Sequence, residues 1–313
     1  MTFYKYTNTN TTNLILENES LRWSSPIIFN DIEECQFTPF TKEQYIKSYE
    51  KYWDVLTECA RGVSVYNSVQ LSDINKTLIY MIRHMIESGT YRREHFSEFM
   101  ANFNRSPESD FRNFLNIAQI KCFRILCVTT EYDNSLMWAH YADQHYGCVL
   151  EIDELFKKKP NLLREGPIKY HENLTPSFNF LDYLLYGETK KHRDSLVNDV
   201  VFSKRSLWGY ENEYRFLFYE SFGEISVTVN CQTNSRHIDV KNQSEVLYTD
   251  VPICIEAIKS ITFGARTKDD DIEGILKILS KKRYKCVLYR MKMEDGLMKR
   301  QVNHPGFLGG FNF

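Results

Sequence analysis

An α+β fold follows from three features of the 313-residue sequence. It has short apolar runs of strand length, and longer segments whose apolar residues recur every three or four positions. The two kinds alternate irregularly rather than as repeated strand–helix units. The expected architecture is a mixed, mostly antiparallel sheet core with residues 42–120 as a helical insertion, all within one domain spanning 1–313. No internal repeat or low-complexity tract interrupts the pattern.

TFYKY (2–6) reads as a short strand. NTNTTN then supplies turn or N-cap chemistry before a brief helix in LILENES. LRWSS is a second strand stopped by Pro26, and IIFNDIEE follows as a loop or short helix with Asn30–Asp31 as a turn signal. In KEQYIKSYEKYWDVLTECARG, residues Tyr45, Tyr49, Tyr52, Trp53, Leu56 and Ala60 fall at helical spacing, with Gly62 near the stop. SDINKTLIYMIRHMIESG opens on a Ser/Asp cap and ends at Gly89. REHFSEFMANF and ESDFRNFLNIAQI extend the helical set. KCFRILCVTTE (121–131) is a buried strand, and DNSLMWAHYADQHYG a helix opened by Asp133 and Asn134 and closed by Gly147. CVLEID (148–153) and GPIKYHE are strands, and 176–204 is mostly helical. EYRFLFYE (213–220), EISVTVN (224–230) and RHIDV (236–240) are strand-like. IEAIKSITFG, TKDDDIEGILKILSKK and KCVLYRM form a strand–helix–strand ending, and MKRQV adds a last strand before a tail rich in Gly and Phe.

Hydrophobic content of 42% and charged content of 26% place the chain among soluble globular proteins. A net charge of −2 lacks the basic footprint of a dedicated duplex-binding protein. The basic runs at 157–159, 190–191 and 281–283 read as solvated helix ends. Eight cysteines contain no CxxC pair, which argues against a zinc ribbon or a dithiol redox motif. Reduced thiols and a cytoplasmic setting are expected. No signal pattern opens the chain, and no apolar run approaches the ~18 residues of a membrane span, so no membrane partner is expected. The 20 Tyr and 21 Phe either provide a stacking platform for a ring-bearing ligand or reflect codon bias.

Three patches carry candidate chemistry. In LMWAHYADQHYG (136–147), His140 and His145 are five apart, roughly 140° around a helix, so they cannot clasp one metal ion. Leu136, Met137, Trp138 and Tyr141 have the character of core residues. Either His140 and Tyr141 satisfy buried polar groups, or they face a cleft and orient a ligand. In SLWGYENEYRF (206–216), Glu211, Glu213 and Arg215 alternate as side chains on one face of a strand do. They form either a solvated Glu–Arg ladder or a positioned carboxylate at a cleft mouth. In WSSPIIFND, Ser24 and Ser25 either make ordinary turn chemistry or line a nucleotide pocket with strand-end hydroxyls and amides. No GxGxxG, GxxxxGK[ST] or GxSxG occurs.

These patches, with YKYTN before them and IKSITFGARTKDD and KCVLYRM after them, resemble the bacterial domain-of-unknown-function family two-nine-seven-one. Ile32 stands where that family has a proline. The resemblance implies a neighbourhood of phage-defence and abortive-infection genes, and so a toxin-like or sensing role with a partner protein from a defence operon. A more distant likeness is to ADP-ribosyltransferases, whose split sheet brings an opening polar strand and a late catalytic Glu together. That likeness implies NAD as substrate, Glu213 as the transition-state carboxylate and Glu211 as its partner toward the acceptor. Lys5, Tyr6 and Ser25 would position the dinucleotide, standing in for a His-x-Thr that this chain lacks. His140 and Tyr141 would form a wall, and Arg215 would contact phosphate or lock Glu213. No metal is expected, and the target would be nucleic acid or protein. Two alternatives remain: a Mg²⁺ nuclease using Asp31, Glu33, Asp143, Glu211 and Glu213, and a non-catalytic sensor binding a phage component or nucleotide through the helical region 42–120, which includes Tyr49 and Trp53.

Overall fold

The computed structural model describes residues 1–31, 34–35, 40–94, 122–153, 161–173, 177, 179–187, 189–220, 224–230, 235–241 and 246–302. The helical stretch expected over 95–120, the basic run at 157–159, Glu33 and the Gly/Phe-rich tail lie outside them. In chain order the elements are β1 (Phe3–Thr7), α1 (Thr9–Asn18), β2 (Ser20–Ser24), α2 (Lys42–Arg61) and α3 (Asp73–Glu87), then β3 (Phe123–Thr129), α4 (Ser135–Tyr141), β4 (Cys148–Ile152), β5 (Leu162–Pro167) and β6 (Lys169–His171). They continue with α5 (Phe180–Tyr186), α6 (Lys190–Val201), β7 (Ser203–Arg205), β8 (Glu213–Tyr219), β9 (Glu224–Asn230) and β10 (Ser235–Lys241). Last come β11 (Tyr248–Pro252), β12 (Ile258–Phe263), α7 (Asp269–Lys282), β13 (Val287–Glu294) and β14 (Leu297–Val302).

Local chemistry sets the ends of these elements. The Asn8 side chain accepts the Thr11 N–H at 2.7 Å, so NTNTTN forms the first turn of α1 rather than preceding it. Thr41 and Gln44 close a reciprocal capping box on α2, and Gly62 ends that helix in the left-handed region at φ 76°. α2 and α3 pack their apolar faces against α5 through Trp53, Leu56, Ile79, Ile82, Leu181 and Leu185. The buried Asn75 side chain donates to the Leu184 and Leu185 carbonyls, which ties α3 to the end of α5. Trp53 is therefore core, and the half-buried Tyr49 packs its ring against Phe180.

The main sheet has ten strands and is mixed and mostly antiparallel, with β12–β13 its parallel pair, so the molecule is α+β. Its order is β11-β2-β3-β1-β4-β12-β13-β14, and β8 then β5 extend from β3. β3 pairs with β8 along its full length, from Phe123↔Tyr219 to Thr129↔Glu213. It meets β1 at Tyr4↔Thr129 and β2 at Ser24↔Ile125. β1 and β2 thus part company opposite residues 126–128, and the sheet opens there. α1 and α7 cover one face over Leu16, Trp23, Leu126, Phe216, Ile261 and Ile275. Burying each such side chain contributes about 1.5–3 kcal/mol. The other face carries α4 over Tyr6, Trp138, Val149 and Met291, and α5 with α6 over Phe123, Ile125, Val201 and Leu217. No helix among the described residues is long and apolar enough to cross a membrane.

The helix expected to run to Gly147 ends earlier. Asp143, Gln144 and His145 take positive φ values of 50°, 52° and 72°, which no α-helix continues. His145 leaves the helix and stacks on Trp138, while Leu136, expected in the core, is exposed. Gly147 serves a different purpose from a helix stop. A Cβ there would lie 2.1 Å from the Thr7 carbonyl oxygen, and one on Gly264 would lie 2.0 Å from that of His145. The left-handed turn therefore docks backbone-to-backbone between β1 and β12. Gly264→Ala should lower thermal stability by at least about 2 kcal/mol, because the obstruction is rigid backbone. Gly274→Ala, in α7 with nothing within 4 Å, should raise it by about 0.5–1 kcal/mol. Melting curves that rank the two variants the other way would contradict this packing.

Candidate active site

Where β1 and β2 separate, a hollow of about 190 Å³ forms over β3. Cys127, Val128 and Thr129 supply its floor, Tyr4, Lys5 and Tyr6 one wall, and Ser24, Phe29 and Asn30 another. Met137 and Tyr141 of α4 lean in from above, and the deep polar side is Glu34, Lys204, Glu211 and Glu213. Lys5 Nζ reaches across the gap and donates to the Cys127 carbonyl at 3.0 Å.

The deep side is a buried ion cluster in which no member exceeds 7% exposure. Lys204 Nζ lies 2.7 Å from Glu211, 3.4 Å from Glu34 and 3.5 Å from Glu213. Arg215 grips Glu213 with both prongs, Nε at 2.7 Å and Nη2 at 2.9 Å. The guanidinium also bonds Glu34 and donates to the Val201 carbonyl at 2.6 Å. The Tyr141 hydroxyl donates to Glu211 at 2.6 Å, and the Glu213 N–H donates to the Tyr170 hydroxyl at 2.9 Å. Glu213 and Arg215 share a face of β8, as strand alternation requires. Glu211 does not belong to that strand: it ends a two-turn 3-10 helix, Ser206–Glu211, and Asn212 turns the chain at φ 45° to bring it beside Glu213. Asn tolerates that conformation better than most residues.

Three carboxylates here meet two cations, Lys204 and Arg215. Burial pushes the Glu213 carboxyl up, to about 7; the Lys204 charge pulls it down and Glu211 pushes it up again. Burial alone would depress Lys204, but the carboxylates of Glu213 and Glu211 outweigh it and the ammonium is held well above its usual range. Desolvation raises the Tyr141 phenol, reinforced by Glu211. Lys5 is shifted down by burial in its apolar wall, against the pull of Glu213.

Of the residues singled out in the sequence, Lys5, Tyr6, Tyr141, Glu211 and Glu213 meet at this hollow. Arg215 lies behind it, fully buried, and locks Glu213 rather than offering itself to phosphate. Ser25 is not at the hollow: it is buried and caps the 3-10 turn Pro26–Ile28, while its neighbour Ser24 lines the site. His140 does not form the wall either. It is exposed and its Nδ1 sits 2.8 Å from the Tyr210 hydroxyl. Of the nuclease set, Glu211 and Glu213 line the hollow and both already face Lys204; Asp143 sits in the left-handed turn. Glu34, Lys204 and Tyr170 escaped sequence reasoning. The only signal for Lys204 was a lysine inside the apolar run VVFSK.

The raised Glu213 value fixes a sign. A carboxyl higher in the fold than in the unfolded chain favours folding below its unfolded value, and that contribution is lost as pH rises through about 7. Carbon-13 NMR of side-chain-labelled glutamate should show one resonance titrating near 7. Glu211→Gln should move that midpoint down, since the Glu211 charge pushes it up. All carboxyls titrating near the usual ~4.3 would contradict the cluster's charge balance.

Residues 137–216 match the model of a family described as Protein of unknown function (DUF2971). No curated protein and no solved structure matches the chain. The matched segment begins in α4 and ends in β8, and it contributes Tyr141, Tyr170, Lys204, Glu211, Glu213 and Arg215 to the cluster. The segment that supplies Lys204, Glu211 and Glu213 to the deep polar side is thus the part of the chain that is similar to the DUF2971 family.

Proposed function

We propose that the hollow is the active site of an ADP-ribosyltransferase-like enzyme with NAD as donor substrate. One observation carries the reading: the carboxylates of Glu211 and Glu213 meet Lys5 and Tyr6 of the opening strand at one ring-walled cavity in a split sheet. Breaking the nicotinamide–ribose bond develops positive charge on the sugar, which a fixed carboxylate near the ribose hydroxyls stabilises. Glu213 has that character: Arg215 holds it in one rotamer, and burial removes it from solvent screening. Tyr4, Tyr6, Phe29 and Tyr141 offer aromatic faces to a nicotinamide ring.

The volume limits what enters. At about 190 Å³ the hollow is smaller than the ~300–1,000 Å³ typical of sites that enclose a drug-sized ligand. The nicotinamide–ribose end is the part enclosed, and the pyrophosphate and adenosine stay at the mouth. In the reaction the C–N bond breaks and nicotinamide leaves with the electron pair. An acceptor oxygen or nitrogen bonds to the ribose carbon, and its proton passes to Glu211, which Tyr141 orients. The acceptor is a nucleic acid or a protein, and a role in abortive infection beside a defence-operon partner rests on the family resemblance.

The test is incubation with NAD carrying label in its adenylate phosphate, in the presence of cell lysate. Label should transfer to macromolecules with stoichiometric release of nicotinamide. Glu211→Gln should lower the rate about 10²-fold or more while the melting curve stays cooperative, and Tyr141→Phe should lower it less. Absence of nicotinamide release, or an undiminished rate in Glu211→Gln, would remove the reading.

A further inference from the structure

A second cavity lies on the far side of the β6–β7 pair. The register of that parallel pair, Lys169↔Ser203, Tyr170↔Lys204 and His171↔Arg205, sorts its side chains. Alternation sends Tyr170 and Lys204 to the ion cluster and Lys169, His171 and Ser203 the other way. The latter three line a hollow of about 450 Å³, with Arg164 and Glu165 from β5 and Asn198 and Asp199 from α6.

Its lining is chemically unfinished. The side chains of Arg164, Lys169 and His171 form no hydrogen bond or ion pair with any described residue, although Arg164 lies over the Phe202 ring at 5.0 Å. The Asn198 side-chain oxygen is buried without a hydrogen-bond partner, an arrangement that is unfavourable unless something donates to it. The nearby Asp199 carboxylate already accepts the Ser177 N–H at 2.6 Å. A ligand that completes this set carries an anion for the guanidinium, ammonium and imidazole, and an N–H or O–H donor for Asn198. It also carries a flat face for the exposed side of the Arg164 guanidinium.

We propose that this cavity is a second binding site, for a nucleoside 5′-phosphate, either free or as the terminus of a nucleic-acid strand. Phosphate meets Arg164, Lys169 and His171, a base amine or sugar hydroxyl donates to Asn198, and the base stacks on Arg164. The volume suits one nucleotide.

Calorimetry on the full chain tests this without any catalytic readout. The probes are the four 5′-ribomononucleotides, the matching nucleosides, inorganic phosphate and a 5′-phosphorylated single-stranded oligonucleotide. At least one mononucleotide or the oligonucleotide should bind at least tenfold tighter than its nucleoside and than phosphate. Mononucleotide binding identifies the free ligand as source, and binding of the oligonucleotide alone identifies a strand end. The exposed-site double variant Arg164→Met/Lys169→Met should weaken that binding at least tenfold, and Asn198→Leu at least threefold, while Glu211→Gln leaves it unchanged. No binding at millimolar concentration overturns the proposal. So does equal binding by inorganic phosphate, or binding that survives the double variant but is lost in Glu211→Gln. None of these outcomes depends on whether NAD is turned over in the first hollow.

Discussion

The buried pairing of Lys204 and Arg215 with Glu34, Glu211 and Glu213 is the interaction on which the candidate site depends. Charges removed from water are costly unless matched, and removing one partner of such a cluster costs about 3–5 kcal/mol because another charge is left buried alone. The cluster joins four separate pieces of chain: the segment after β2, strand β7, the 3-10 turn before β8, and β8 itself. It fixes where β8 begins and holds two carboxylates in single orientations at the edge of an open hollow. A stretch of apolar side chains of similar volume would pack there at less electrostatic cost.

The hollow itself comes from strand pairing. β3 keeps a continuous neighbour in β8 but divides its other side between β1 and β2, which touch it four residues apart. Backbone groups in such an opening need partners, and Lys5 supplies one to Cys127. The left-handed turn at Asp143–His145, clamped by Gly147 and Gly264, ends α4 early and sets Tyr141 over the opening. Fold and site are in this sense one construction: the same divergence that weakens the sheet makes room for a ligand.

Much of this was legible in the sequence. Strands β3, β4 and β12 announced themselves as β-branched apolar runs, β8 as an aromatic one, and α2, α3 and α7 as helical stripes with caps. Glu213 and Arg215 were legible as a pair because charges at alternate positions stand out in an apolar strand, whereas Glu211 joins them through a 3-10 helix that alternation does not describe. What escaped reading depends on contacts distant in sequence. Lys204 and Glu34 acquire meaning only when β7 and the segment after β2 are brought to β8, and neither spacing nor composition encodes that meeting. Ser25 and His140 were misplaced by one position or one helical face, since a turn or an early helix end rotates side chains that periodicity alone would aim inward. Three consecutive non-glycine residues in the left-handed region have no reliable sequence signature, so the end of α4 was not foreseeable.

The most direct test of the central claim is saturation-transfer NMR on NAD mixed with the protein. If the carboxylate-lined hollow encloses the nicotinamide–ribose end, saturation should reach the nicotinamide ring protons and the adjacent ribose most strongly, and the adenine protons weakly. The pattern should fade when the hollow is narrowed by Ser24→Phe. Saturation concentrated on adenine, or none on either ring system, would contradict the account.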